Sequence, residues 1–297
     1  MIVIEVKDCL KFLNTAYSSD HLLTPKLLVT RVSFDLDGFL SADITQWVAK
    51  HRAEHSTWFG LCERLNRLAF SQLKQLNVAS DDRTLVLRAL LFVRALSAYQ
   101  AALLLAERGM TLEARVLART CLEALFHLGA LTNEPDRVDD FIDDEITGKR
   151  RLARALRSLP EEHCFNEDLD ERLKDYLAKT DGHNRRNLVV EVAAKAAGLQ
   201  SVYDVYYRSM SNDAAHPTLT ALRRFVYEGV GGEMRGFRLD PEVSDMENTV
   251  ATIAVMGVYL TRYGSDLVEG EGFGAEIEAC WALYKECKDG MASTAAQ

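Results

Sequence analysis

Hydrophobic positions along this chain recur mostly at the three-to-four-residue spacing of helices, with strand-like alternation confined to a few short stretches. From Ser41 to about Leu76, the residues Trp47, Trp58, Leu61, Leu65, Leu68 and Leu73 form one apolar stripe. Ser41 is the expected N-cap of that helix and Gly60 its expected kink. A second helix is predicted from the cap Ser80, with Asp81 and Asp82 in the favourable first turn, to Gly109 as a C-terminal cap. Thr111 opens a third that runs to about Leu131, and so short a link makes the two antiparallel. Between Leu85 and Ala106 apolar residues go all the way round, the pattern of a buried helix, and the third helix is similar. This pair is the predicted centre of the fold.

The remaining elements are weaker. A helix from Pro135 to about Leu159 is acidic at its front (Asp136 to Glu145) and basic at its back (Lys149 to Arg157). That order complements the helix dipole and reads as a solvated surface helix. Further helices are expected over 166–179, in an Ala-rich stretch ending at Gly198, from Tyr203 to His216, and from Thr218 to Phe225 with Pro217 at its first position. Val226–Tyr227 and Met234–Phe237 flank Gly229, Gly231 and Gly232, which predicts a small glycine-rich hairpin or loop near 226–239. Helices from about Val243 to Val268 and from Ala275 to Lys288 follow, and Ala292 to Gln297 reads as a disordered tail. Residues 1–40, with a strand-like Ile2–Val6 and an amphipathic Lys7–Tyr17, read as an arm or cap. The expectation is an all-α bundle around a central antiparallel helix pair, with 41–291 as a single helical domain.

Composition narrows the function classes. The formal charge of -9 argues against a general nucleic-acid coat protein, while leaving room for a local basic groove. Six cysteines show no CxxC pair or zinc-like spacing, and Cys121 falls inside an apolar helical pattern, which suits a reducing cytosol. The start MIVIEVKDCLKF lacks the features of a signal peptide, and the most apolar window, Ala89 to Ala106, is broken by Arg94 and Gln100. A cytoplasmic protein with no membrane partner is therefore expected.

Three constellations offer chemistry. The run Asp139-Asp140-Phe141-Ile142-Asp143 matches the DDxxD spacing that grips diphosphate through Mg²⁺ in all-helical prenyl-chain synthases, but the second aspartate-rich motif is missing. His51 and His55 are four residues apart, with no obvious third ligand, so no metal or other cofactor is expected. On the third helix Arg115, Arg119, Glu123 and His127 form a row among apolar neighbours, where charges need partners; Arg119 with Glu123 is the expected internal pair.

The densest stretch is Tyr203 to Thr218, YDVYYRSMSNDAAHPT. Arg208, Asn212 and His216 step by four along one helix face, and Pro217 puts His216 at a joint between helices. Such a histidine can move a proton while an arginine steadies phosphate charge. It can equally cap a helix end, with Arg208 paired to an acid such as Glu123. Arg185, Arg186, Arg223 and Arg224 could attract RNA.

The run SNDAAHP resembles the RNxxxH element of the HEPN superfamily, compact helical bundles that include many metal-independent ribonucleases and toxins. Asn212 and His216 match that element, whereas Ser211 stands where active members carry arginine. The resemblance implies catalytic roles for His216, Arg208 and Asn212, with Arg119, Glu123 and Ser211 in support. It further implies RNA as a partner, a homodimer with a composite cleft, and a place in bacterial defence. The alternative is a non-catalytic helical scaffold or regulator that binds a partner protein. More widely, LLAERGMTLEARVLARTCLEALFHLGAL, DRVDDFIDDEITGKRR and YYRSMSNDAAHPTLTAL are similar to an uncharacterised bacterial helical family, over roughly residues 80 to 225.

Overall fold

The computed structural model describes residues 34–78, 81–159, 167–183, 187–214, 218–229, 231–243, 245–268 and 272–295, with backbone alone for 35, 167, 212–214 and 292–295. A short helix α1 (Phe34–Asp37) and a 3-10 turn (Gly38–Leu40) lead into α2 (Ile44–Glu54) and α3 (Ser56–Gln75). Then come α4 (Arg83–Glu107), α5 (Thr111–Asn133), α6 (Val138–Arg157), α7 (Glu167–Lys179) and α8 (Val190–Ala196). The next stretch is composite: α9 (Gln200–Val202), a π-helical segment (Tyr203–Tyr207) and α10 (Arg208–Ala214). After α11 (Leu219–Arg223), a hairpin of β1 (Val226–Glu228) and β2 (Met234–Phe237) precedes α12 (Met246–Leu267) and α13 (Gly274–Ala295). The fold is all-α, as the periodicity predicts. The strand reading at the N-terminus lies outside the described residues.

The antiparallel pair α4–α5 is the centre of the bundle, and α12 packs against both members and against α3. Asp82 caps α4 by accepting from Leu85 N at 2.8 Å. Gly109, at φ +71, closes it with Met110 N bonded to Leu105 O and Gly109 N to Ala106 O, a Schellman turn that only glycine adopts without strain. Phe92, Tyr99, Leu122, Leu125, Phe126 and Leu128 are fully buried around this pair. Small residues permit close approach: a Cβ at Gly264 would come within 2.2 Å of Gln72 Oε1. Gln72 is itself buried and donates to Thr261 O (2.7 Å) and Ser265 Oγ (2.9 Å), tying α3 to α12. Cys62, Cys121 and Cys280 are buried free thiols.

α4 is long and apolar enough to cross a bilayer, yet 44% of its most apolar window is buried in the bundle, as in a core helix.

Four sequence expectations are corrected. The first helical stretch breaks at His55 (φ -114, ψ 31), where the backbone leaves the helical region, and Gly60 lies inside α3 with open space beside it. Ser41 accepts from Asp43 N within the preceding turn instead of capping α2. The last helix continues through Ala295, where a disordered tail is expected. α6 is not solvated all round: Thr147, Arg150 and Ala153 are buried, and Arg150 donates to Leu177 O (2.8 Å) and Thr180 Oγ1 (2.6 Å), clamping the end of α7.

Candidate functional site

The Tyr203–Ala214 stretch reaches the central pair through α10, which packs on α5. In its π segment each turn takes an extra residue, a local change that re-aims side chains and recurs at functional sites. Tyr207, the last residue of that segment, is buried; its hydroxyl donates to Glu123 Oε1 at 2.7 Å and accepts from Arg119. Arg119 Nε donates to Ser211 Oγ at 3.1 Å, and its Nη1 lies 2.9 Å from Glu123 Oε1. The Ser211 hydroxyl donates in turn to Tyr207 O at 2.9 Å. Each nitrogen of Arg119 thus meets an oxygen, and the expected Arg119–Glu123 pair is present. Burial and the bond to Glu123 push the Tyr207 phenol well above its ordinary value, so it stays a neutral donor. The side chains of Arg119 and Glu123 remain 27% and 31% exposed, which leaves this network open to water along one edge.

Arg208 goes elsewhere. It lies 3.2 Å from Asp204 and 3.3 Å from Glu191 on α8, with most of its side chain exposed, so it does not pair with Glu123. Its guanidinium sits 5.3 Å from the Tyr203 ring, while that of Arg119 sits 4.7 Å from the Tyr207 ring. The two tyrosines stack at 5.0 Å, and Phe126 meets both. A chain of cation–π and ring contacts therefore links the two arginines without bringing them to one point. Among the sequence-predicted residues, the structure unites Arg119, Glu123 and Ser211 and sets Arg208 apart. Asn212 is described in backbone only, within α10, and His216 and Pro217 lie outside the described residues.

The expected basic groove is corrected in part. Arg223 pairs with Glu228 (2.6 Å), and Arg224 with Asp245 (3.0 Å) and Glu242 (3.4 Å), so neither offers an uncompensated charge. Arg185 and Arg186 lie outside the described residues. The DDxxD carboxylates are also occupied: Asp139 meets Arg83 at 3.2 Å, Asp140 meets Arg137 at 3.6 Å, and Asp143 faces His183 Nδ1 at 3.6 Å. These contacts tie α6 to its surroundings and give each of the three carboxylates a basic side chain as its neighbour. His127 lines a cavity of about 340 Å³ with Arg137, Asp140 and Asn187, where burial lowers its pKa.

Two residues escape the sequence reading. Tyr207 is one, because its coupling to Arg119 depends on the pairing of α10 with α5. Glu54 is the other: the ligand atoms of His51, Glu54 and His55 lie within 4.8 Å of one another, so the histidine pair does have a third donor beside it. The spacing His-x-x-Glu-His carries that signal in the sequence.

No curated protein and no solved structure matches the chain. Residues 86–233, just under half of it and spanning the central pair and the Tyr207 network, match the profile of a family described as Family of unknown function (DUF5677).

Proposed function

We propose that this protein is a HEPN-like effector that acts on RNA, as a metal-independent endoribonuclease or an RNA-binding protein. In this reading Asn212 and His216 supply the reacting element and Arg119 supplies the guanidinium. The observation that carries it is the Arg119 Nε to Ser211 Oγ contact at 3.1 Å. Ser211 stands where active HEPN members carry arginine, and α5 brings a guanidinium to that same residue from the neighbouring helix. Glu123 and Tyr207 hold it in place, as preorganised electrostatic stabilisation requires. His216 would exchange a proton with the 2′-hydroxyl or the leaving oxygen while Arg119 offsets charge developing on the phosphate. Bacterial defence is the setting the resemblance implies.

The test is the purified protein with single-stranded and structured RNA in EDTA. Cleavage or binding is expected. Because the nearby arginines are already acid-paired, few phosphates are neutralised, and log affinity should fall with log salt at a slope no steeper than about -1.4, as for two contacts on a single strand. Absence of both cleavage and binding across several RNAs would sink the reading.

A second reading, a non-catalytic scaffold or regulator, is favoured by a different observation. Val205, Leu219 and Leu222 are exposed apolar side chains on both sides of residues 215–217, while Arg208, Arg223 and Arg224 are acid-paired. Exposed apolar side chains with acid-paired arginines suit a protein partner better than a phosphate backbone.

A homodimer belongs to the first reading, since HEPN-like proteins commonly form one composite cleft from two motif helices. Leu90, Val93 and Leu104 lie on one stripe of α4 and are 61%, 43% and 53% exposed, an apolar face left bare on a core helix. Light scattering should give twice the 33.3 kDa chain mass, and Val93→Glu should return it to 33.3 kDa. A wild-type monomer at every concentration would remove the dimer and with it the composite cleft.

A further inference from the structure

We propose that His51, Glu54 and His55 form a binding site for a divalent transition metal of the zinc class, at the joint between α2 and α3. His51 and Glu54 lie in the last turn of α2, and His55 is the residue between the helices. Positions i, i+3 and i+4 share one helix face, and their donor atoms all fall within 4.8 Å of one another. Ligand atoms around a tetrahedral zinc are about 3.4 Å apart, given bonds of about 2.1 Å, so rotamer adjustment of roughly 1 Å closes the set.

The second observation is the state of His51. It is 2% exposed, and neither ring nitrogen has a hydrogen-bond partner among the described residues. Buried polar atoms are nearly always satisfied, and an imidazole with two orphaned nitrogens in a closed site is costly. Trp47 stacks on the ring at 4.5 Å, Phe59 meets it edge-on at 5.5 Å and His55 edge-on at 4.8 Å, so ring contacts hold it without a hydrogen bond to either nitrogen. A metal on one nitrogen would relieve the defect that packing leaves.

The surroundings fit. The Glu54 side chain is 53% exposed and that of His55 23%, which gives an ion a route in from water. Glu247, in the first turn of α12, has its carboxylate 3.7 Å from His55 Nδ1. A carboxylate beside a ligating histidine orients the ring or completes the coordination. Arg52, the nearest guanidinium in sequence, turns instead to Glu63 and Glu107. Two imidazoles and one carboxylate select zinc, cobalt or nickel over calcium or magnesium, which want oxygen alone. Three protein ligands leave a fourth position for water or for Glu247, and the bound ion would brace the α2–α3 joint against α12.

The experiment is titration of the EDTA-stripped, desalted full chain with Zn²⁺ by calorimetry and with Co²⁺ by visible absorption. One ion per chain, bound at micromolar affinity or tighter, is expected, with the intense cobalt bands of a tetrahedral N/O site. Because His51 is buried, its replacement disturbs packing. Glu54→Gln, at an exposed position, is therefore the decisive variant, with His55→Ala beside it; each should weaken binding at least about tenfold, and Glu54→Gln should leave the melting curve of the metal-free chain in place. Substoichiometric binding by the wild type, or unchanged binding in Glu54→Gln, would overturn the proposal. RNA assays in EDTA are blind to this site, so the metal site and the RNA activity stand or fall separately.

Discussion

If the protein is the ribonuclease proposed above, replacing His216 with alanine should lower RNA cleavage in EDTA by roughly 10²–10⁴-fold, the usual worth of a positioned proton-transfer group, with an unchanged circular dichroism spectrum. The informative comparison is between the arginines. Arg119 lies against Ser211 and is held by Glu123 and Tyr207. If it offsets charge on the phosphate, Arg119→Ala should cost about 10²–10³-fold, as loss of one preorganised donor does. Arg208 faces Asp204 and Glu191 in water, so Arg208→Ala should change the rate by less than about fivefold, the scale of an exposed ion pair. The order His216, then Arg119, then Arg208 is thus specific to a guanidinium delivered by α5. Equal loss in Arg119→Ala and Arg208→Ala would point to general RNA attraction, and undiminished cleavage by His216→Ala would point to another site or a contaminant.

What is legible in the sequence is whatever local chemistry decides. The all-round apolar pattern of α4 and α5 and the Gly109 turn each depend on neighbours within a turn or two, and each is found in the structure. The expected cap Ser80 lies outside the described residues, and Asp82, read as a first-turn acid, is itself the cap of α4. The glycine-rich stretch, legible as a hairpin or a loop, is a hairpin that pairs Val226 with Phe237. The helix break falls at His55 and not at Gly60 because glycine lowers helix propensity without forcing a bend, whereas His55 leaves the helical region under tertiary packing. Arg150 looks solvated because it sits in a basic run. Its burial depends on carbonyl and hydroxyl acceptors from α7, some thirty residues on. The candidate site is half legible for the same reason. Arg119 and Glu123 sit one turn apart on one helix and can be paired on spacing alone. Tyr207, at the end of the π segment, joins them through a tertiary contact some eighty residues along the chain.

The second large effect lies away from the site, at Asp245. Its carboxylate meets Arg115 on α5 at 2.5 Å, Arg224 after α11 at 3.0 Å and Asn248 on α12 at 3.0 Å, so it joins three parts of the fold. Its backbone is left-handed, with φ +63, where aspartate and asparagine are tolerated and most side chains are strained. Asp245→Ala removes the acid from Arg115 and one of two from Arg224, which keeps Glu242, and adds that backbone cost, for a loss of about 3–5 kcal/mol in denaturant unfolding. Asp245→Asn keeps the shape and the backbone preference and loses only the charge, so about 1.5–3 kcal/mol is expected. Burial by itself would raise the Asp245 pKa. The Arg115 charge, with Asn248 and Arg224, outweighs burial and holds it below the ordinary carboxylate value. A depressed folded-state pKa means the stabilisation is complete above the unfolded value of about 3.9 and is lost as pH falls through the folded one. The wild-type advantage over Asp245→Asn should accordingly be full at pH 7 and shrink steadily below pH 4. A difference that is absent at pH 7, or that persists undiminished in acid, would show that the carboxylate charge is not what binds α5 to the start of α12.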